Sequence, residues 1–309
     1  MPRKYPATMI SDVCSLRRNR TYKRSSMMSN VFVSADRLLA IESGDRFHAI
    51  SFSWDGYEPH FLVYSFHSHQ LKEVELDSIS FTVSDEQLCV GSFRAEGYRP
   101  CPFKRHVIGF DQCEFCSRST IPIQKCLFDP ICDGELCDWD LCRREHVVYI
   151  AFYGNKTKVG MTSSGRLTER LIEQGADAYF TVGTFHSRKA ARTMEKTISS
   201  GLSIPQMHRS ADLLQELKNG PDYTSITEIY HRIGDKIARQ FTLTPSEIVL
   251  LQGYPIRQPL ESLPAYSSLI GAHEGEVLGV KGRVLLYKNR DTIRALNMAA
   301  IPSRFMTLI

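Results

Sequence analysis

A chain of 309 residues with 42% hydrophobic and 23% charged residues is long enough for about two compact domains with real cores. No run approaches the ~20 apolar residues of a membrane helix, and residues 1–24 lack the apolar centre of a secretory signal, so a cytoplasmic protein without a membrane partner is expected. The net charge of only +4 excludes a polycation held to its partners by total charge alone, which leaves the distribution of charge as the informative quantity.

Residues 1–24 carry Arg3, Lys4, Arg17, Arg18, Arg20, Lys23 and Arg24 against the single Asp12. Without interleaved aromatics, such a block reads equally as a disordered leader before Met27 or Met28 and as a nucleic-acid arm. Strands follow. FHAISFSW (Phe47 to Trp54) alternates apolar and polar residues and ends at Asp55-Gly56, a turn signal, and FLVYSF (Phe61 to Phe66), LKEVEL (Leu71 to Leu76) and SISFTV (Ser78 to Val83) come at short intervals. They predict a small antiparallel β unit without obvious chemistry of its own.

From Cys101 to Cys142 the composition changes, with seven of the nine cysteines. Cys113-Glu-Phe-Cys116 is a C-x2-C knuckle whose spacing lets both thiolates face one tetrahedral ion, and clustered cytosolic cysteines hold zinc more often than they form disulfides. Cys113, Cys116, Cys132 and Cys142 are the first choice of ligands. Cys126, Cys101 or His146 is an alternative for one of them, and a second ion is not excluded. A closed four-ligand site leaves no open position for water, so the expected role of zinc is structural.

After His146 the pattern becomes strand, turn, strand, helix: VVYIAFY, Gly154-Asn155, TKVGM, then a helix from Gly165 to Gln174 stopped by Gly175. AYFTVGTF (Ala178 to Phe185) predicts a strand. SRKAARTMEKTISSG predicts a helix capped by Ser187 and ended by Gly201, with Ala191, Met194 and Ile198 as its apolar stripe and Glu195 at the edge. Residues 147–201 hold eight Lys or Arg against four Asp or Glu, whereas residues 101–146 hold six against eight, so a phosphate-seeking surface is expected on the later segment. Further on, Ser225-Ile-Thr-Glu228 and Thr244-Pro-Ser-Glu247 read as capping boxes, the first opening a stripe of Ile226, Ile229, Ile233 and Ile237. Glu276 to Lys288 reads as a hairpin.

VVY at Val147 to Tyr149, KVG at Lys158 to Gly160, Arg170 and Glu195 are similar in order and spacing to the GIY-YIG nuclease core. Together with the upstream Cys101, Cys113, Cys116, Cys126, Cys132, Trp139, Cys142 and His146, and with VYIA, KVGMT and ERLIEQGA, they resemble the family called domain of unknown function 2797. The resemblance implies metal-dependent phosphodiester hydrolysis on nucleic acid. Tyr149 would orient or deprotonate the water, Arg170 would stabilise the phosphate, Glu195 would anchor Mg2+ or Mn2+, and Gly160 would let the backbone pass close beneath the phosphate. Lys158 stands where the family of nucleases has its second Tyr, as an electrostatic partner or a base. Thr162, Gln174 and Gly175 also fit the pattern, and His186 lies near the same helix start. The rival readings are a zinc-containing nucleic-acid-binding protein without catalysis and a scaffold that engages protein.

The expected fold class is α+β, divided into a basic tail (1–26), a β-rich domain (27–100), a cysteine-rich zinc module (101–146), a GIY-YIG-like α/β core (147–204) and a helical plus β-hairpin C-terminal region (205–309).

Overall fold

The computed structural model describes residues 46–94, 97–118, 126, 129–136 and 140–309. The basic tail, Cys137 and Trp139 lie outside the described residues.

The chain is a mixed α+β protein. It opens with β1 (Arg46–Asp55), β2 (Glu58–Ser65), β3 (Gln70–Val74) and β4 (Ser78–Gln87). Along β1 the side chains alternate: Ala49 and Phe47 enter the main core while Ile50 joins a smaller cluster on the other face, as a pleated strand requires. The cysteine-rich part contains β5 (Ser92–Arg94), its partner β6 (Gly97–Arg99), and the short helices α1 (Glu114–Ser117) and α2 (Asp140–Arg143).

Then follow β7 (His146–Tyr153), β8 (Lys156–Ser163), α3 (Leu167–Gln174), β9 (Ala178–Phe185) and α4 (Arg188–Leu202). The pair β7–β8 closes through the two residues Gly154 and Asn155, with Tyr153 opposite Lys156 and Gly154 at φ +54°. The helix α3 ends at Gly175 in the left-handed conformation, whose N–H caps Ile172 and Leu171. Ser187 caps α4 by accepting the Ala190 N–H at 3.2 Å. That helix runs through Gly201 to Leu202 and is ended by Ser203 at φ +55°. Gly201 serves packing here: a Cβ on it would stand 2.8 Å from the Phe241 ring.

The chain continues with α5 (Leu214–Asn219) and α6 (Tyr223–Phe241). The cap of α6 is Asp222, accepting the N–H groups of Thr224 and Ser225, so the helix begins ahead of the expected Ser225 box. Its buried stripe is Ile226, Ile233 and Ile237, with Ile229 partly buried. The second box, Thr244 to Glu247, forms no helix. Ser246 instead exchanges two bonds with Thr181 of β9, its N–H to the Thr181 carbonyl and its Oγ from the Thr181 N–H, both at 2.9 Å. The local hydroxyl that marks a cap is satisfied by a sheet edge.

The last elements are β10 (Val249–Leu250), β11 (Ala265–Tyr266), β12 (Gly271–Lys281), β13 (Val284–Asn289), β14 (Thr292–Asn297) and β15 (Arg304–Leu308). They join the first strands in one nine-stranded sheet of order β11-β14-β13-β12-β4-β15-β1-β2-β3, antiparallel except for β11 on β14. The expected β unit and the C-terminal hairpin therefore share one sheet. The second sheet has the order β10-β9-β7-β8.

One core lies between the two sheets, with α3 inside it. Phe47, Phe61 and Phe81 of the large sheet meet Tyr149 and Ala151 of β7 and Leu171 and Ile172 of α3. The opposite face of the small sheet has its own core, Val148, Ile150 and Phe152 against Ala191 and Ile198 of α4 and Ile226 of α6. Period two in β7 thus sends successive side chains into two different cores. The β12–β13 turn is held against the end of α3: Trp54 of β1 donates its indole N–H to the Gly282 carbonyl at 2.8 Å, and a Cβ on Gly282 would come within 2.4 Å of the Gly175 backbone nitrogen. No described helix is long and apolar enough to cross a membrane.

Candidate metal centre and cation-lined cavity

Cys89, Cys101, Cys113 and Cys116 are all buried, and their sulfurs lie within 4.8 Å of one another. The Cys101 and Cys113 sulfurs are 3.9 Å apart. A zinc tetrahedron with Zn–S of ~2.3 Å has S···S edges of about 3.8 Å, so the thiols already have the spacing of a closed tetrathiolate site. A metal ion such as zinc fits this donor set.

The backbone prepares the site. Cys89 follows β4, held by its N–H to the Arg105 carbonyl at 2.8 Å. Its sulfur accepts the N–H of Gly91 at 3.4 Å and of Cys113 at 3.2 Å, bonds that favour a thiolate. Gly91 sits at φ +74°, and a Cβ there would lie 2.2 Å from the Arg99 carbonyl, so the turn returning β6 to Cys101 requires glycine. Burial pushes the Cys89 thiol up to about 12 despite those N–H groups, and the Cys116 thiol is raised as well, first by burial and then by the neighbouring Cys89. A divalent cation supplies the opposite charge such a group needs to ionise.

Cys113 and Cys116 were expected in the metal set, and Cys101 was an alternative. Cys126, Cys132 and Cys142 are buried too, yet they do not belong to this group of four. Sequence reasoning missed Cys89 because it precedes the change in composition at Cys101. The signal was Cys89-Val90-Gly91, a cysteine followed two residues later by a glycine able to turn its N–H onto the sulfur. His146 is buried at the start of β7; its Nδ1 is 2.8 Å from the Arg144 carbonyl, and burial lowers its pKa to about 4.

The expected nuclease residues lie around the β7–β8 hairpin. Tyr149 is opposite Gly160 in the register, and Ala151 is opposite Lys158, so Tyr149, Gly160 and Lys158 share the face covered by α3. Tyr149 is 1% exposed. Its ring crosses Gly160 so closely that a Cβ there would be 2.6 Å from the Tyr149 hydroxyl. Gly160→Ala is accordingly expected to destabilise the protein by about 1–3 kcal/mol through overpacking, read as a lowered melting temperature. Arg170, on α3 beside this face, is 8% exposed and lies 3.6 Å from Glu173, which also takes Arg166 at 3.2 Å.

Glu195 stands elsewhere. It continues the buried stripe of Ala191 and Ile198 on α4, which packs on the opposite face of the small sheet. Its carboxyl is raised by burial, against the lowering effect of Arg192, which bonds it, and of Lys158 across the edge strand. Tyr149, Lys158 and Gly160 thus share one face of the hairpin with Arg170 on the helix beside it, while Glu195 lies on the helix that packs on the other face, within electrostatic reach of Lys158 at the strand edge. His186 is exposed, between the end of β9 and the Ser187 cap.

Lys158 opens onto a cavity of about 80 Å³ between the hairpin and the large sheet. Tyr153, Gln174, His208, Glu216, Lys281 and Arg283 also line it. Gln174 Oε1 accepts from Lys158 Nζ at 2.6 Å and from the Tyr153 hydroxyl at 3.1 Å. The wall includes a buried pair, Lys281 with Asp177, whose second oxygen takes the Gly154 N–H at 2.8 Å. His208 has Nε2 3.0 Å from the Thr157 carbonyl, and burial, joined by Lys158 and Lys156, lowers its pKa. Of these, sequence reasoning named Lys158 and Gln174. Lys281 and Arg283 lie more than a hundred residues away in sequence and reach the cavity only because the sheets pack.

Residues 77–302 match the family model described as Protein of unknown function (DUF2797), a span that contains all four clustered cysteines and the whole β7–β9 unit. No curated protein and no solved structure matches the chain. With most of its length covered by that model, the chain belongs to the DUF2797 family.

Proposed function

We propose that the chain binds the phosphate backbone of a nucleic acid at the cavity beside Lys158, on a β7–β9 unit that is GIY-YIG-like, and that the four-cysteine centre holds a structural zinc. The observation that carries the reading is the convergence of Lys158 and Arg283 with Gln174 on one small cavity at the meeting of the two sheets, where Lys281 is paired with Asp177 and Glu216 is the other acid in the lining. Its volume of about 80 Å³ admits a handful of waters at ~10–15 Å³ each, a small polar site suited to one anionic group. Backbone contact rather than base reading follows.

Metal-dependent phosphodiester hydrolysis is the second reading, favoured by the placement of Tyr149 against Gly160 on the hairpin that also carries Lys158. It ranks second because Tyr149 and Arg170 are buried and Glu195 is carried by α4, which packs on the face of the small sheet opposite Tyr149.

Fluorescence anisotropy with labelled DNA and RNA, single-stranded and duplex, tests the first reading. Replacing both Lys158 and Arg283 by Ala is expected to weaken binding at least tenfold and to lower the salt dependence by about one counterion per lost contact. Unchanged affinity and salt slope would remove the cavity from the account. If the same oligonucleotides are cut with Mg2+ or Mn2+ and Glu195→Gln stops the cutting, hydrolysis takes first place.

A further inference from the structure

The surface of the cysteine module presents aromatic rings where a folded protein normally hides them. Phe103 is 53% exposed and Phe115 is 46% exposed, and the rings touch edge to face with centroids 5.0 Å apart. Both are tied to metal-site cysteines: Phe115 lies inside the Cys113 to Cys116 knuckle, and Phe103 follows Cys101 by two residues. The Arg105 guanidinium lies 5.0 Å from the Phe103 ring centre.

The segment around Phe103 is basic. Residues 97–110 contain Arg99, Lys104 and Arg105 and no Asp or Glu, an island that the acidic balance of residues 101–146 conceals. Glu114, the nearest exposed acid in the knuckle, is paired with Arg118 at 3.0 Å. Exposed rings bordered by cations suit a chain that offers flat apolar faces and a negative backbone together. A duplex keeps its base faces stacked inside, so only a single strand offers both.

We propose that Phe103 and Phe115, with Arg105, form a stacking platform for the bases of single-stranded nucleic acid. It rests on the nucleic-acid reading and deepens it, since the platform selects single strands while the Lys158 cavity takes phosphate from either form. The metal centre holds the backbone on both sides of the rings, so little ordering is left for binding to supply.

The test uses the full chain and fluorescein-labelled oligo-dT and oligo-U of about 20 nucleotides, a duplex of the same length, and vesicles of equal parts phosphatidylserine and phosphatidylcholine. Phe103→Ala and Phe115→Ala are each expected to weaken single-strand binding by about fivefold to a hundredfold, the loss of one stacked base, and to leave duplex binding nearly unchanged. Phe115→Trp keeps the affinity, Phe115→Leu loses it, and zinc content stays constant in all four variants, which separates stacking from folding. Lys158→Ala with Arg283→Ala lowers binding to both forms alike, so failure of the cavity and failure of the platform give different patterns. Single-strand affinity indifferent to Phe103 and Phe115 overturns the platform. So does phenylalanine-dependent attachment to the vesicles without oligonucleotide binding, which would make the patch a membrane contact.

Discussion

Cys116→Ser is expected to strip the metal from the cysteine module and unfold it. Among the described residues the buried apolar cluster around the four cysteines consists of Cys89, Cys101, Val107, Cys113 and Cys116, so one valine is its only member that is not a thiol. Such a cluster holds too little hydrocarbon to stay folded without its ion. Structural zinc contributes about 10–16 kcal/mol of apparent binding energy in small peptide modules, far above what one valine supplies. Zinc in the purified variant should fall by one equivalent, and limited proteolysis should cut between residues 89 and 118. The nine-stranded sheet does not depend on the module for its pairing and should retain its circular dichroism. Cys132→Ser is the control: Cys132 lies outside the group of four, so this site keeps its zinc. A Cys116→Ser protein with full zinc and unchanged protection would refute the assignment.

The second large effect concerns the pair between the sheets. Lys281 and Asp177 have side chains only 6% and 4% exposed, and Asp177 also accepts the Gly154 N–H that closes the β7–β8 turn. Removing one charge leaves the other buried and uncompensated. Asp177→Ala should therefore cost about 3–5 kcal/mol. For a chain of this size that is a fall in melting temperature of roughly 5–8 °C. Replacing both residues, Asp177→Leu with Lys281→Met, removes the stranded charge and should cost less than the single change, because the desolvation of the pair offsets much of its attraction. Differential scanning calorimetry of the single and double variants gives the comparison. A double variant as damaged as the single would mean that the loss comes from the Gly154 bond or from packing, not from the stranded lysine.

Local order was legible in the sequence wherever one short-range rule acted alone. Gly154-Asn155 fixed a two-residue turn, Gly175 stopped a helix, and Ser187 capped one, each through backbone geometry that neighbouring residues decide. The Ser225 and Thr244 boxes failed because other groups satisfied the same bonds. Asp222 took the first N–H groups of α6, and Thr181 took the Ser246 backbone and hydroxyl. Hydrogen-bonding partners distant in sequence leave no mark in a capping pattern.

The candidate sites divide in the same way. The C-x2-C knuckle was legible because its spacing is itself the geometry, whereas Cys89 reaches the metal site through the β4 end and needed the strand to be placed first. Tyr149, Gly160 and Lys158 share a face by strand register, which alternation implies. The cover over that face is a different matter. It comes from Phe47, Phe61 and Phe81, strands whose sequence gives their own pleat and nothing about the helix they bury. Lys281 and Arg283 arrive at the cavity with the same sheet, so two of the three Lys and Arg side chains in its lining were invisible along the chain.

Zinc-edge X-ray absorption, recorded on the wild-type protein and on Cys89→Ser, tests the metal centre most directly. Four sulfurs at ~2.3 Å in the wild type, with that shell lost in Cys89→Ser, is the predicted result. A native shell containing nitrogen or oxygen, or a four-sulfur shell undiminished by Cys89→Ser, would contradict it.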